Sequence, residues 1–130
     1  MENNWQEILA QMSPEEQYAY FVGQVADQEV MWGLYLEKQK GWAMTRTPEG
    51  KQLLVLWTDP GQAAQHANGT WNRYRVESLD LHGFLEFGLQ DLAEAKQGVS
   101  LLYQEGEGGL VVELEDLKRD LLATLASEEE

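Results

Sequence analysis

The chain has 130 residues, 23 acids against nine bases for a net charge of −14, three prolines and no cysteine. That is the length of one ordinary domain, able to bury roughly two thirds of its unfolded surface, and its 43% hydrophobic content is that of a globular chain. The missing cysteine excludes a disulfide framework, a thiolate nucleophile and any cysteine-ligated metal, while the acidity repels phosphate backbones and anionic lipid headgroups.

The opening residues, MENNWQEILAQM, have neither a cationic start nor a long apolar run, so a cytosolic location is expected. Within them Trp5, Ile8, Leu9 and Met12 are spaced for a short helix. A second helix starts at Ser13-Pro14-Glu15-Glu16: Ser13 caps it, Pro14 takes its first position and Glu16 completes a capping box. Tyr18, Phe21, Val22 and Val25 then form its apolar stripe, which ends near Asp27.

From Val30 the period becomes two. Met31, Gly33 and Tyr35 alternate with Trp32, Leu34 and Leu36, and Lys38-Gln39-Lys40-Gly41 turns the chain into Trp42-Ala43-Met44. Tyr35 and Met31 therefore share one face, Trp32 and Leu34 the other. A second turn, Thr47-Pro48-Glu49-Gly50, leads to Leu53-Leu54-Val55-Leu56-Trp57, an apolar run that reads as a strand buried on both faces. Thr58-Asp59-Pro60 starts a short helix carrying Ala63, Ala64 and Ala67, stopped at Asn68-Gly69.

Trp71 to Val76 is predicted as a short strand, and Ser78 as the cap of a helix striped by Leu81, Phe84, Leu85, Leu89 and Leu92. Gly88 inside that helix costs about 1 kcal/mol relative to alanine, which calls for a ring or backbone packed over it. Val99 to Tyr103 and Leu110 to Val112 read as strands around the turn at Gly106, followed by a helix bearing Leu114, Leu117, Leu121, Leu122 and Leu125. The expected fold is a single α+β domain over residues 1–126 with an acidic tail at 127–130. Its mostly antiparallel sheet of about five strands is covered by helices, with helices at both ends.

Tryptophan-bearing positions give a further handle. Tyr20-Phe21, Val25-Ala26-Asp27, Val30-Met31-Trp32-Gly33-Leu34, Gly41-Trp42-Ala43, Leu56-Trp57, Ser78-Leu79-Asp80, Phe84-Leu85 and Leu92 together resemble the domain of unknown function 2750 family over roughly Tyr18 to Leu121. The resemblance implies a bacterial cytoplasmic single-domain protein and brings no activity or functional residues with it. The chain departs from the family pattern at Gly88, where a tryptophan is expected. Leu53 to Ala64 is more loosely similar to SseB-type secretion-associated domains.

The chemistry available is sparse. There are two histidines, His66 and His82, and no phosphate-loop or nucleophile-elbow motif. Ser78 and His82 are four apart, but Ser78 reads as a cap; His82 and Glu86 form an i, i+4 surface pair; His66 is placed to meet a helix C-terminus. No cofactor or metal is called for. The charge is uneven: nine acids and six bases up to Arg75, fourteen acids and three bases beyond it. Two functions are consistent with this. One is a non-enzymatic, immunity-like or adaptor module whose acidic half meets a basic protein surface through Trp42, Glu105, Glu107, Glu113, Glu115 and Asp116. The other is a small-ligand domain or enzyme with a pocket between sheet and helices, lined by Trp32, Tyr35 and Trp57 and served by His82. Homodimerisation through a strand edge is open under either.

Overall fold

A computed structural model describes residues 5–128 and has the expected α+β architecture. Helix α1 (Trp5–Ala10) precedes α2 (Pro14–Gln28). The capping box of α2 is complete, with Ser13 Oγ accepting from the Glu16 amide at 3.1 Å and Glu16 Oε1 accepting from the Ser13 amide at 2.9 Å. Glu29, in the left-handed region, closes the helix by donating its amide to the Val25 carbonyl.

Strands β1 (Val30–Leu36) and β2 (Gly41–Trp42) form the anticipated hairpin around its cationic turn. The chain leaves that sheet at Ala43. It continues as β3 (Met44–Arg46) and β4 (Gln52–Leu56), antiparallel partners in a second sheet. In place of one expected sheet of about five strands, the described residues form seven strands in two sheets, ordered β2-β1-β5 and β3-β4-β6-β7. They are joined where Trp32 and Trp57 exchange backbone hydrogen bonds of 2.8 and 3.0 Å. The pair β4–β6 is parallel, and residues 53–56 of β4 are buried as their unbroken apolar sequence requires.

Helix α3 (Pro60–Ala64) is capped by Asp59, whose carboxylate accepts from the Gln62 amide at 2.9 Å. A 3-10 turn (Gly69–Trp71) follows, so Trp71 lies outside the strand predicted for it. That strand, β5 (Arg75–Asp80), starts later and runs through Ser78. Ser78 pairs with Trp32 across β1, and the next helix is capped by Asp80, whose carboxylate accepts from the Gly83 amide at 2.9 Å. The cap expected at Ser78 is thus two residues too early, because β1 takes Ser78 and Leu79 as strand partners.

The helical segment that follows is not uniform: α4 (Leu81–Gly83) passes through a π turn (Phe84–Gly88) into α5 (Leu89–Glu94). Of the two coverings expected over Gly88, a ring or a backbone, the structure has a ring, that of Phe84. A Cβ on Gly88 would stand 2.9 Å from Phe84 Cδ1. Strands β6 (Gly98–Gln104) and β7 (Gly108–Val112) then form an antiparallel hairpin, and α6 (Leu114–Glu128) closes the chain. The first half of the expected acidic tail, Ser127 and Glu128, is thereby helical; Glu129 and Glu130 lie outside the described residues. Among the described residues no helix is long and apolar enough to cross a membrane.

Period-two alternation divides the interior into two cores. Met31, Leu54, Leu56, Val99 and Leu101 face a large core shared with α1, α2, α6 and the 81–94 segment. Leu34, Val55 and Trp57 face a small second core, closed by Ala63 of α3 and flanked by Trp32, Trp71, Tyr74 and Tyr103. Both faces of β1, β4 and β6 therefore contribute to a core.

Candidate functional site

The second core opens to the surface as a pocket of about 240 Å3. Its construction begins with a break in β6. Regular alternation after Leu101 would turn Leu102 away from the large core and Tyr103 into it. Instead Leu102 adopts φ +58°, and the register slips by one residue between Leu101 and Gln104. Such a bulge re-aims the side chains that follow it. Leu101 and Leu102 accordingly both face the large core, whereas Tyr103 is delivered to the second one. A left-handed leucine is strained by roughly 1–2 kcal/mol, and here the strain is met by burial of Leu102, which is 3% exposed.

Tyr103 is then fixed from behind. Its carbonyl accepts from the indole nitrogen of buried Trp57 at 2.9 Å. His66 stacks on the same indole with ring centres 4.9 Å apart and planes 18° from parallel. It meets Tyr103 edge-on at 5.9 Å, and Trp71 meets Tyr103 edge-on at 5.4 Å. His66 is only 7% exposed, with Nδ1 2.9 Å from the Gln62 carbonyl in the last turn of α3. A carbonyl only accepts, so Nδ1 carries a proton. Asp59 sets this helix end: its cap starts α3 on the register that brings Gln62, Ala63 and His66 inward.

The mouth is polar. Thr45, Asn68, Thr70 and Glu105 line it with Met44 and Gly69. The Asn68 amide nitrogen donates to the Gln65 carbonyl at 2.6 Å, leaving its oxygen as an acceptor. Glu105, in the turn between β6 and β7, is exposed. The pocket lining thus combines the buried His66 imidazole, the rings of Trp71 and Tyr103 and a rim carboxylate, the mix of aromatic wall and few polar groups that suits a small ligand group.

The pocket residues anticipated from sequence are only partly assembled by the fold. Trp32 and Trp57 meet through their backbones, and both belong to the second core. Tyr35 is on the opposite face of β1, where its ring meets Trp42 at 5.0 Å and lies 5.6 Å from the Arg75 guanidinium carbon. His82 sits on the surface, its Nε2 2.6 Å from a Glu29 carboxylate oxygen. His66 occupies the place by Trp57 that was expected of His82. A signal for it exists: Ala63, His66 and Ala67 recur at i, i+3 and i+4, the period of a buried helical face.

The acids singled out from sequence do share a region. Glu105 and Glu107 lie in the turn before β7; Glu113, Glu115 and Asp116 follow it, and all five are exposed. Glu115 and Asp116 occupy the first turn of α6, where carboxylates complement the helix dipole. Strand β7 is a sheet edge. Two concavities of about 670 and 410 Å3 share Val111, Val112 and Glu113, and Val111 is 61% exposed. Trp42 stands apart from this region, partly exposed, its ring covering Gly33 so closely that a Cβ there would be 3.2 Å away.

Beside this face Tyr18 donates to Asp120 Oδ2 at 2.6 Å, tying α2 to α6. Burial, and then the Asp120 carboxylate, push the Tyr18 hydroxyl well above its ordinary value. The same hydrogen bond, helped by Arg119, holds the Asp120 carboxyl below the usual carboxylate range. Among the described residues no group of three or more His, Asp or Glu is gathered to hold a metal ion.

Fold and site define an acidic two-sheet α+β domain with a small aromatic pocket and an open, acid-bracketed edge strand. Residues 18–121 match the family model described as protein of unknown function (DUF2750), so the chain belongs to that family. No curated protein matches it.

Proposed function

We propose that this protein is a non-enzymatic binding module, immunity-like or adaptor-like, that recognises a basic surface on a protein partner in the bacterial cytoplasm. The observation that carries the reading is the placement of Glu105, Glu107, Glu113, Glu115 and Asp116, all exposed, at the two ends of the edge strand β7. An edge strand offers unpaired backbone donors and acceptors, which an incoming extended segment satisfies. Acids at both ends of it favour a basic segment, speed its encounter and disfavour a second copy of this −14 chain.

The test is capture from lysate of the source cell at low and moderate salt, beside a variant carrying Glu107→Lys, Glu115→Lys and Asp116→Lys. The expected result is a stoichiometric basic protein, lost as salt rises and lost with the variant, whose melting temperature is checked separately. Equal capture by both forms at both salts would sink the electrostatic reading.

A small-ligand role is the second reading, and one observation favours it: the concave site at His66, Tyr103 and Trp71, with the polar rim that orients a ligand.

A further inference from the structure

We infer that the aromatic pocket receives a guanidinium group, the side chain of an arginine presented by a polypeptide partner. The inference deepens the preceding reading and rests on the partner being basic.

Size is the first argument. Pockets for drug-sized ligands run from roughly 300 to 1,000 Å3, and this one, at about 240 Å3, falls below that range. It suits the end of a side chain better than a nucleotide or a cofactor. Wall chemistry is the second. Trp71 meets Tyr103 edge-on, with planes 62° apart and centres 5.4 Å from one another; both line the pocket, and ring faces attract cations. The same molecule already sets a guanidinium against a ring, Arg75 with Tyr35 at 5.6 Å. Acceptors are the third argument. Glu105 supplies a carboxylate at the mouth and Asn68 a side-chain carbonyl oxygen, its amide nitrogen being engaged with the Gln65 carbonyl. Among the described residues neither lysine nor arginine lines the pocket.

Arginine fits these features better than lysine. A guanidinium is planar, stacks on aromatic faces and spreads five donors over a fork, whereas an ammonium is a compact, strongly hydrated point charge. Aromatic walls with acceptors at the rim reward the plane and the fork. Glu105 also stands at the start of the acid-bracketed region around β7, so a basic strand docked there would carry an arginine within reach of the mouth.

The experiment is an NMR titration of the full chain with three blocked amino-acid amides: acetyl-arginine amide, acetyl-lysine amide and the neutral isostere acetyl-citrulline amide. The arginine probe is expected to shift the signals of Trp71, Tyr103 and Glu105 at millimolar concentration, the lysine probe at least threefold more weakly, and citrulline not at all. Trp71→Ala and Glu105→Gln should each weaken the arginine probe at least tenfold; the second change is on an exposed side chain and leaves the fold intact. Citrulline binding as well as arginine, or shifts mapping elsewhere, would overturn the inference. A fourth probe, Gly-Gly-Arg-Gly-Gly, separates the two sources of the group. Binding at least as tight as the amide supports a polypeptide arginine, whereas exclusion of the peptide with retention of methylguanidinium assigns the pocket to a free small molecule and refutes the polypeptide partner. A basic Lys-Val alternating peptide tests the acidic face independently. Trp71→Ala should leave its binding unchanged, and the Glu107→Lys, Glu115→Lys, Asp116→Lys variant should abolish it, so loss of either reading is visible without the other.

Discussion

Tyr18 and Asp120 show how single side chains set a pH dependence. The Asp120 carboxyl is lowered by the Tyr18 hydroxyl and Arg119, so its contribution is complete above the unfolded value of about 4 and is lost as pH falls through the lower folded value. The Tyr18 hydroxyl is raised by burial and by Asp120, so its contribution is complete below about pH 10 and fades as pH climbs beyond that. Tyr18→Phe is expected to flatten both limbs and to cost about 1 kcal/mol at neutral pH, given the partial exposure of the pair; thermal melts from pH 3 to 11 check it. Trp57 is the second residue of consequence. Replacing it by Phe removes the donor to the Tyr103 carbonyl and leaves space behind His66, so urea unfolding should report a loss of about 3 kcal/mol. Neither interaction could be read from sequence, because each joins residues far apart in the chain. What was legible at this scale was local: Ser13 with Glu16, and that Gly88 needed a ring or a backbone packed over it.

Glycines sort the elements. Gly23 lies inside α2 with open space around its missing side chain, so Gly23→Ala should raise stability by about 0.5–1 kcal/mol through helix propensity. Gly109 in β7 is the opposite case. A Cβ there would fall 2.4 Å from Ser100 Oγ and 2.8 Å from the Leu101 carbonyl oxygen, beside the bulge. Gly109→Ala should therefore cost more than about 2 kcal/mol and displace Tyr103; melting temperatures of the two variants, moving in opposite directions, decide the matter. Strand periodicity identified β1 and an unbroken apolar run β4, and the cationic turn between β1 and β2 was plain in Lys38 to Gly41. The extent of β5 was not, since Ser78 and Asp80 are both good caps and only pairing with β1 chose Asp80. The bulge in β6 was hidden for a different reason. Val99 to Tyr103 carries no turn residue that would mark a break, and the left-handed Leu102 shows only in the folded chain, where Leu101 and Leu102 face the same core.

For the whole molecule the governing quantity is charge. With fourteen acids against three bases beyond Arg75, association with a basic partner should be fast at low ionic strength and slow as screening shortens the Debye length from about 30 Å at 0.01 M to about 8 Å at 0.15 M. Stopped-flow mixing with the Lys-Val peptide across that range is expected to show the association rate falling at least tenfold while dissociation changes little. The amino-acid sequence by itself determined the α+β class, the order of most elements, the family and the acidic character of the C-terminal half, because caps, periodicity and charge are local or additive properties of the chain. Tertiary structure alone decided that the strands form two sheets joined at Trp32 and Trp57. It also decided that β4 lies parallel to β6 and that His66, not His82, stands beside Trp57. Those outcomes depend on which distant segments bury one another's apolar faces, a choice that only the folded chain makes.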